Sequence, residues 1–247
     1  MARFNTIIQK IEQKCPNDWW IMSFKKKARE DHPCYQLYKK TISEYNKALS
    51  CLDPRSFSIL SDKVLSEFKC EAVQNEDGRG RQLSFDLMNE AFAYKYLQSR
   101  VVNNLCFVEE NRDMANNQSE TPDIRFEEKG RVGYCEVKTI NRPDKDKKRD
   151  ECKVFSGSEY DPKDGFFSTL RDALDTAKSQ VKNPSDSELG IVYLIINFDD
   201  FTLQDYTTYK EQLHVFFQQS YPDIEIHALI PGGGFHALYE IHHTPDL

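Results

Sequence analysis

The chain lacks any apolar run of membrane-spanning length; the longest candidate, IVYLII at 191–196, falls far short. It also lacks a secretory hydrophobic region, because MARFNTIIQKIEQK turns charged too soon. The seven cysteines include no close pair, so neither a zinc ligand set nor a disulfide framework is visible, and reduced thiols in a cytoplasm are expected. An excess of positive charge is missing as well. With 33 Lys+Arg against 40 Asp+Glu the net charge is −7, which excludes coating nucleic acid by bulk charge but permits a local basic groove. No helix-turn-helix, zinc-finger or RNA-binding signature is present. What remains is an ordinary globular composition, 39% hydrophobic and 30% charged over 247 residues, enough for one large domain or a domain with an appendage.

The most informative stretch is TPDIRFEEKGRVGYCEVKTI at 121–140. Residues alternate before and after Lys129-Gly130, which predicts a β-hairpin. With Lys129-Gly130 as a two-residue turn, Glu128 faces Arg131 and counting outward sets Asp123 opposite Glu136. A three-residue loop ending at Gly130 is the other possibility, and it shifts the register by one. Alternation puts Ile124, Phe126, Cys135 and Val137 on an apolar face, and Asp123, Glu136 and Lys138 on the opposite one. Two facing carboxylates repel. A divalent cation with hard oxygen ligands relieves this, and one or two carboxylates plus water suit magnesium. A lysine beside such an ion can hold or deprotonate water, or offset charge on a phosphate.

This arrangement resembles the PD-(D/E)xK nuclease superfamily, the restriction-endonuclease-like proteins. Pro122-Asp123 matches the PD, and Glu136-Val137-Lys138 matches the ExK. Other acid-x-Lys triplets, such as Glu12-Gln13-Lys14, lack a strand and a PD at hairpin distance. Pro222-Asp223 is a second PD with no acid-x-Lys after it. The resemblance implies an α/β fold, a mixed sheet flanked by helices over residues 80–247, preceded by a helical accessory region, 1–79. It implies Mg²⁺-dependent hydrolysis of phosphodiester bonds, with Mn²⁺ as a substitute and DNA as the substrate. Asp123 and Glu136 would hold metal, helped by the Val137 carbonyl, and Lys138 would position water. A homodimer would suit double-strand cleavage, and a protein partner is compatible with the aromatic-rich helices. An RNA-directed nuclease and a silent binding or scaffold module are the alternatives.

The rest of the chain is read around that hairpin. Helices are predicted over 6–14, 19–30, 35–52 and 56–69, punctuated by Pro16, Pro33 and Pro54. The polar loop at 71–81 marks the boundary with the core. Residues 82–100 predict one helix, with Leu83, Leu87, Tyr94 and Leu97 on a stripe that also holds Glu90. An acid there is either paired or a metal ligand. The resemblance makes Glu90 the further acidic residue, with Asp86 as its competitor. After the hairpin, residues 141–165 are polar, with six basic and four acidic side chains between Arg142 and Lys153. This segment is either a loop that closes over a phosphate backbone or an unstructured connection. The helix at 167–182 buries Leu170, Ala173, Leu174, Ala177 and Val181. The resemblance makes Gln180, with Lys178, the polar candidate near the site. GIVYLIINF at 190–198 has the continuous apolar character of a strand buried on both faces. A further helix at 204–220 and strands at 224–230 and 235–241 complete the chain. His236, His242 and His243 are assigned to tail or edge positions.

Overall fold

A computed structural model describes residues 2–32, 35–70, 79–108, 121–141, 164–197, 206–232 and 237–245. Of the loops read at 71–81 and 141–165, residues 71–78 and 142–163 lie outside these residues, as do the glycines at 233–234 and His236, while 79–81 and 164–165 are helical. The architecture is α/β, with a six-stranded mixed sheet in chain order, flanked by helices. By contact density the chain divides into two compact units. The first holds the described residues up to 108 and Asp123–Arg131; the second holds residues 121–122 and the described residues from 132 onwards. Each is described on its own.

The first unit starts with α1 (Arg3–Lys14), α2 (Trp19–Lys27), α3 (Tyr35–Ser50) and α4 (Pro54–Glu67). Their apolar positions recur at helical spacing: α1 buries Phe4, Ile7, Ile8 and Ile11. Starts are fixed by acids. Asp18 accepts from the backbone N–H groups of Trp20 and Ile21, and Asp53 from those of Arg55 and Ser56, with Pro54 as the first helical residue of α4. Burial alone would raise the Asp53 carboxyl, but hydrogen bonds from Ser56, Tyr94 and Arg55 outweigh it and hold it at about 2. The core between the helices is aromatic. Phe4 lies 5.9 Å from Phe24 and 5.5 Å from Tyr45, ring centre to ring centre.

The single helix expected over 82–100 is two, α5 (Arg79–Met88) and α6 (Glu90–Ser99), broken at Asn89. Asn89 accepts a hydrogen bond from the Tyr45 hydroxyl at 2.8 Å, a partner 44 residues away that local periodicity cannot register. Of the expected stripe, Leu83 on α5 is 40% exposed, whereas Glu90, Tyr94 and Leu97 on α6 are buried. Glu90 therefore opens a helix, where its charge favours the N-terminal dipole. The absence of disulfide pairing expected from cysteine spacing is also corrected. Cys15 and Cys70 are bonded, with Cα atoms 5.5 Å apart, because the ends of α1 and α4 converge. A disulfide departs from the expectation of reduced thiols.

The unit closes with β1 (Asn103–Phe107), antiparallel to β2 (Ile124–Glu128). Lys129 and Gly130 both have positive φ, 52° and 79°. That is the signature of a two-residue type I′ turn, which decides between the two loop lengths in favour of the shorter one.

The second unit holds most of β3 (Arg131–Ile140), then α7 (Asp164–Lys182), β4 (Leu189–Ile196), α8 (Tyr206–Ser220), β5 (Glu225–Gly232) and β6 (Ala237–His243). β4 pairs in parallel with β3 on one side and β5 on the other, and residues 191–196 are all buried. The continuous apolar run has the environment it predicted. β3–α7–β4 is thus a crossover between parallel strands. β6 runs antiparallel to β5. His243 Nε2 lies 2.9 Å from the Tyr221 carbonyl oxygen, and His242 Nε2 lies 3.3 Å from Glu225.

Candidate functional site

In the second unit, Glu136 and Lys138 stand two residues apart on β3, so their side chains share a face. Lys138 Nζ donates to Glu136 Oε1 at 2.7 Å and to Gln180 Oε1 at 2.9 Å. Glu136 and Gln180 are buried, at 4% and 6% exposure, while a quarter of the Lys138 side chain is exposed. A carboxylate removed from water needs a counter-charge, and the ammonium supplies it. An ammonium has three donors. Two are directed at Glu136 and Gln180, which fixes the head group at the rim of the pair. Val137 lies between the two on β3, paired in register with Tyr193.

Gln180 reaches this position because α7 packs on β4 through the stripe that ends in Val181. The contact is tight at Gly190: a Cβ there would meet Val181 Cγ2 at 2.9 Å. Valine is stiff at χ1 and cannot swing aside. Gly190→Ala is therefore expected to destabilise the chain by about 1–3 kcal/mol, measured by urea denaturation. Because Val181 adjoins Gln180, the shift also strains the Lys138–Gln180 contact. An unchanged midpoint would show that α7 has room to move.

Lys178, the other polar candidate on α7, does not join this cluster. It pairs with Asp223 at 2.6 Å, and Lys182 pairs with the other oxygen of the same carboxylate at 2.6 Å. Hydrogen bonds from Lys178 and Lys182 hold the Asp223 carboxyl down at about 2. Asp223 belongs to the second PD of the sequence, and here it clamps α7 to the turn before β5.

In the first unit a second cluster forms around a residue that sequence reasoning missed. Lys63 Nζ on α4 donates to Glu90 Oε1 at 2.8 Å and to Asp123 Oδ1 at 3.3 Å. Glu90 is 5% exposed, and Asp123 lies in the bend just before β2. Asp86, the competitor of Glu90, is not in this trio; its charge acts on the buried Tyr45 hydroxyl, whose pKa is raised first by burial and then by Asp86. Nothing local marks Lys63 in the sequence. It is one lysine among several on amphipathic helices, and its partners lie 27 and 60 residues downstream.

These two clusters contain Asp123, Glu136, Lys138, Glu90 and Gln180, with Asp123 and Glu90 in one unit and the other three in the other. The expected pairing of Asp123 with Glu136 joins residues of different units and is carried forward only as part of the proposal below.

Among the described residues no group of three or more His, Cys, Asp or Glu side chains is arranged to hold a metal ion. Two carboxylates are nonetheless gathered about one cation: a single ammonium serves both Glu90 and Asp123. Magnesium keeps several waters and takes one or two carboxylates from protein, so this donor set fits it. Among the described residues no helix is long and apolar enough to cross a membrane. No family model, curated protein or solved structure matches the chain.

Proposed function

We propose that the chain is a magnesium-dependent nuclease that hydrolyses phosphodiester bonds in DNA. The observation that carries this reading is the Glu136–Lys138–Gln180 cluster: a buried acid and a lysine two residues on, on one strand face, with the lysine head held by a buried glutamine. The PD and ExK residues at hairpin spacing add Asp123 in sequence, and Glu90 shares a lysine with it. By the resemblance, Asp123 and Glu136 would hold Mg²⁺, or Mn²⁺ in its place, with the Val137 carbonyl and Glu90 as further ligands. When bound, the ion polarises the phosphodiester and acidifies water. Lys138 holds the attacking water through the donor not directed at Glu136 or Gln180. Gln180 keeps the ammonium at that position.

One observation favours a second reading, a silent nuclease-fold binding module: Lys63 already gives Glu90 and Asp123 a counter-charge. Both readings meet in one assay. The purified chain is incubated with linear, nicked, supercoiled and single-stranded DNA and with single-stranded RNA, with and without Mg²⁺ or Mn²⁺, beside Glu136→Ala. Metal-dependent cutting of DNA that the variant loses is the expected result. Cutting of RNA alone redirects the substrate. No cutting, with no heat of metal binding, favours the silent module. The substrate pattern also bears on whether a homodimer or a protein partner is needed for double-strand cutting.

A further inference from the structure

The helical region reads in sequence as an accessory, yet α4 sends a lysine to two of the proposed metal ligands. We infer that Lys63 competes with the metal ion for Glu90 and Asp123, two of the acids proposed above as its ligands. This rests on the metal-dependent reading of the same residues.

The argument begins with cost. Glu90 is almost fully buried, and an ionised carboxylate there requires a cation at hydrogen-bond distance. Lys63 meets that need from the flank of α4. Leu60 and Val64 on that helix are fully buried, and the lysine head reaches both acids. The side chain stays 24% exposed, so the head has a route to water when displaced. The start of α4 is fixed by the Asp53 cap and Pro54, and Lys10 on α1 donates to Ser61 Oγ at 3.1 Å. The lysine is thus presented from a pinned helix. One ammonium bridging two carboxylates occupies the electrostatic role of a divalent ion, and the two cations exclude each other at the same oxygens. Binding of Mg²⁺ is then reduced by the fraction of molecules in which Lys63 still holds the acids.

A purely structural ion pair makes a different prediction. Its removal would loosen the acids and weaken metal binding. The test is calorimetric titration of Mg²⁺, without nucleic acid, into the full chain, Lys63→Met and Lys63→Arg. Expected for Lys63→Met is a Kd about five- to tenfold lower than the parent's, while Lys63→Arg, which keeps the charge, binds no tighter than the parent. Equal or weaker binding by Lys63→Met overturns the role of Lys63 and leaves the nuclease reading standing. No heat of binding by any of the three overturns the metal-dependent reading itself. If Lys63→Met fails to fold in EDTA, Mg²⁺ added during refolding is expected to restore the native circular dichroism spectrum. Failure of that rescue overturns the competition.

Discussion

Lys138→Ala is expected to lower the rate of metal-dependent DNA cleavage by about 10²–10⁴-fold, the usual contribution of a positioned proton-transfer group. The geometry also predicts a stability cost. Without the ammonium, the buried Glu136 carboxylate loses a charged donor at 2.7 Å, and removing such a donor from a buried acceptor costs about 1–3 kcal/mol. Solvent reaches the Lys138 side chain, which is 25% exposed, so the lower end of that range applies. Activity and stability are separable through the double variant Glu136→Gln/Lys138→Met. It replaces the ion pair with an uncharged pair of similar shape, so stability is expected to recover towards the parent's while cleavage stays lost. Denaturation midpoints and cleavage rates for the two variants check both halves. Unimpaired cutting by Lys138→Ala would remove the lysine from the mechanism. Recovery of cutting in the double variant would show that the acid–lysine pair serves the fold alone.

The parts of this cluster that were legible in sequence share one property: their partners lie close along the chain or follow a fixed period. Strand alternation puts Glu136 and Lys138 on one face whatever the rest of the fold does. The turn at Lys129-Gly130 is a local choice, and its two positive φ values settle the loop length. Gln180 was named, with Lys178, from the family resemblance; helical spacing set it beside the stripe of α7 but did not choose between the two. The run at 190–198 announced a strand covered on both sides because it is short and rich in β-branched residues, and residues 191–196 are buried. The features that escaped depend on distant partners. Lys63 acquires meaning from Glu90 and Asp123, Asn89 from Tyr45, and Cys15 from Cys70. In each case the residue looks ordinary until a helix packs. At Asn89 the expected single helix ends, so Glu90 stands at a helix start and not in mid-helix.

Phe4→Ala is expected to be the most destabilising single truncation in the helical region, at about 3–5 kcal/mol. The ring is fully buried, it packs on Phe24 and Tyr45, and the backbone N–H of Phe4 donates to Asn46 Oδ1 at 2.9 Å. A cavity at this point has little chance to collapse, because its ring walls, Phe24 and Tyr45, stand on two other helices, and all three helices are fixed elsewhere. Tyr45 is held by Asn89, α2 by the Asp18 cap, and α1 by its disulfide to Cys70. A loss of that size is a large part of the total of about 5–15 kcal/mol that a domain commands. Phe4→Leu, which keeps most of the volume, is expected to cost about 1–1.5 kcal/mol. Urea denaturation followed by tryptophan fluorescence reads both, since Trp20 packs 5.2 Å from Phe24 in the same cluster. The consequence for function runs through α4, which packs on α1 and carries Lys63. If the aromatic core sets where α4 sits, Phe4→Ala disturbs the bridge from Lys63 to Glu90 and Asp123, and its Mg²⁺ affinity departs from the parent's while that of Phe4→Leu does not. A cost below about 1 kcal/mol for Phe4→Ala would mean that the cluster repacks, and that α4 is positioned by its cap and the disulfide without help from the ring.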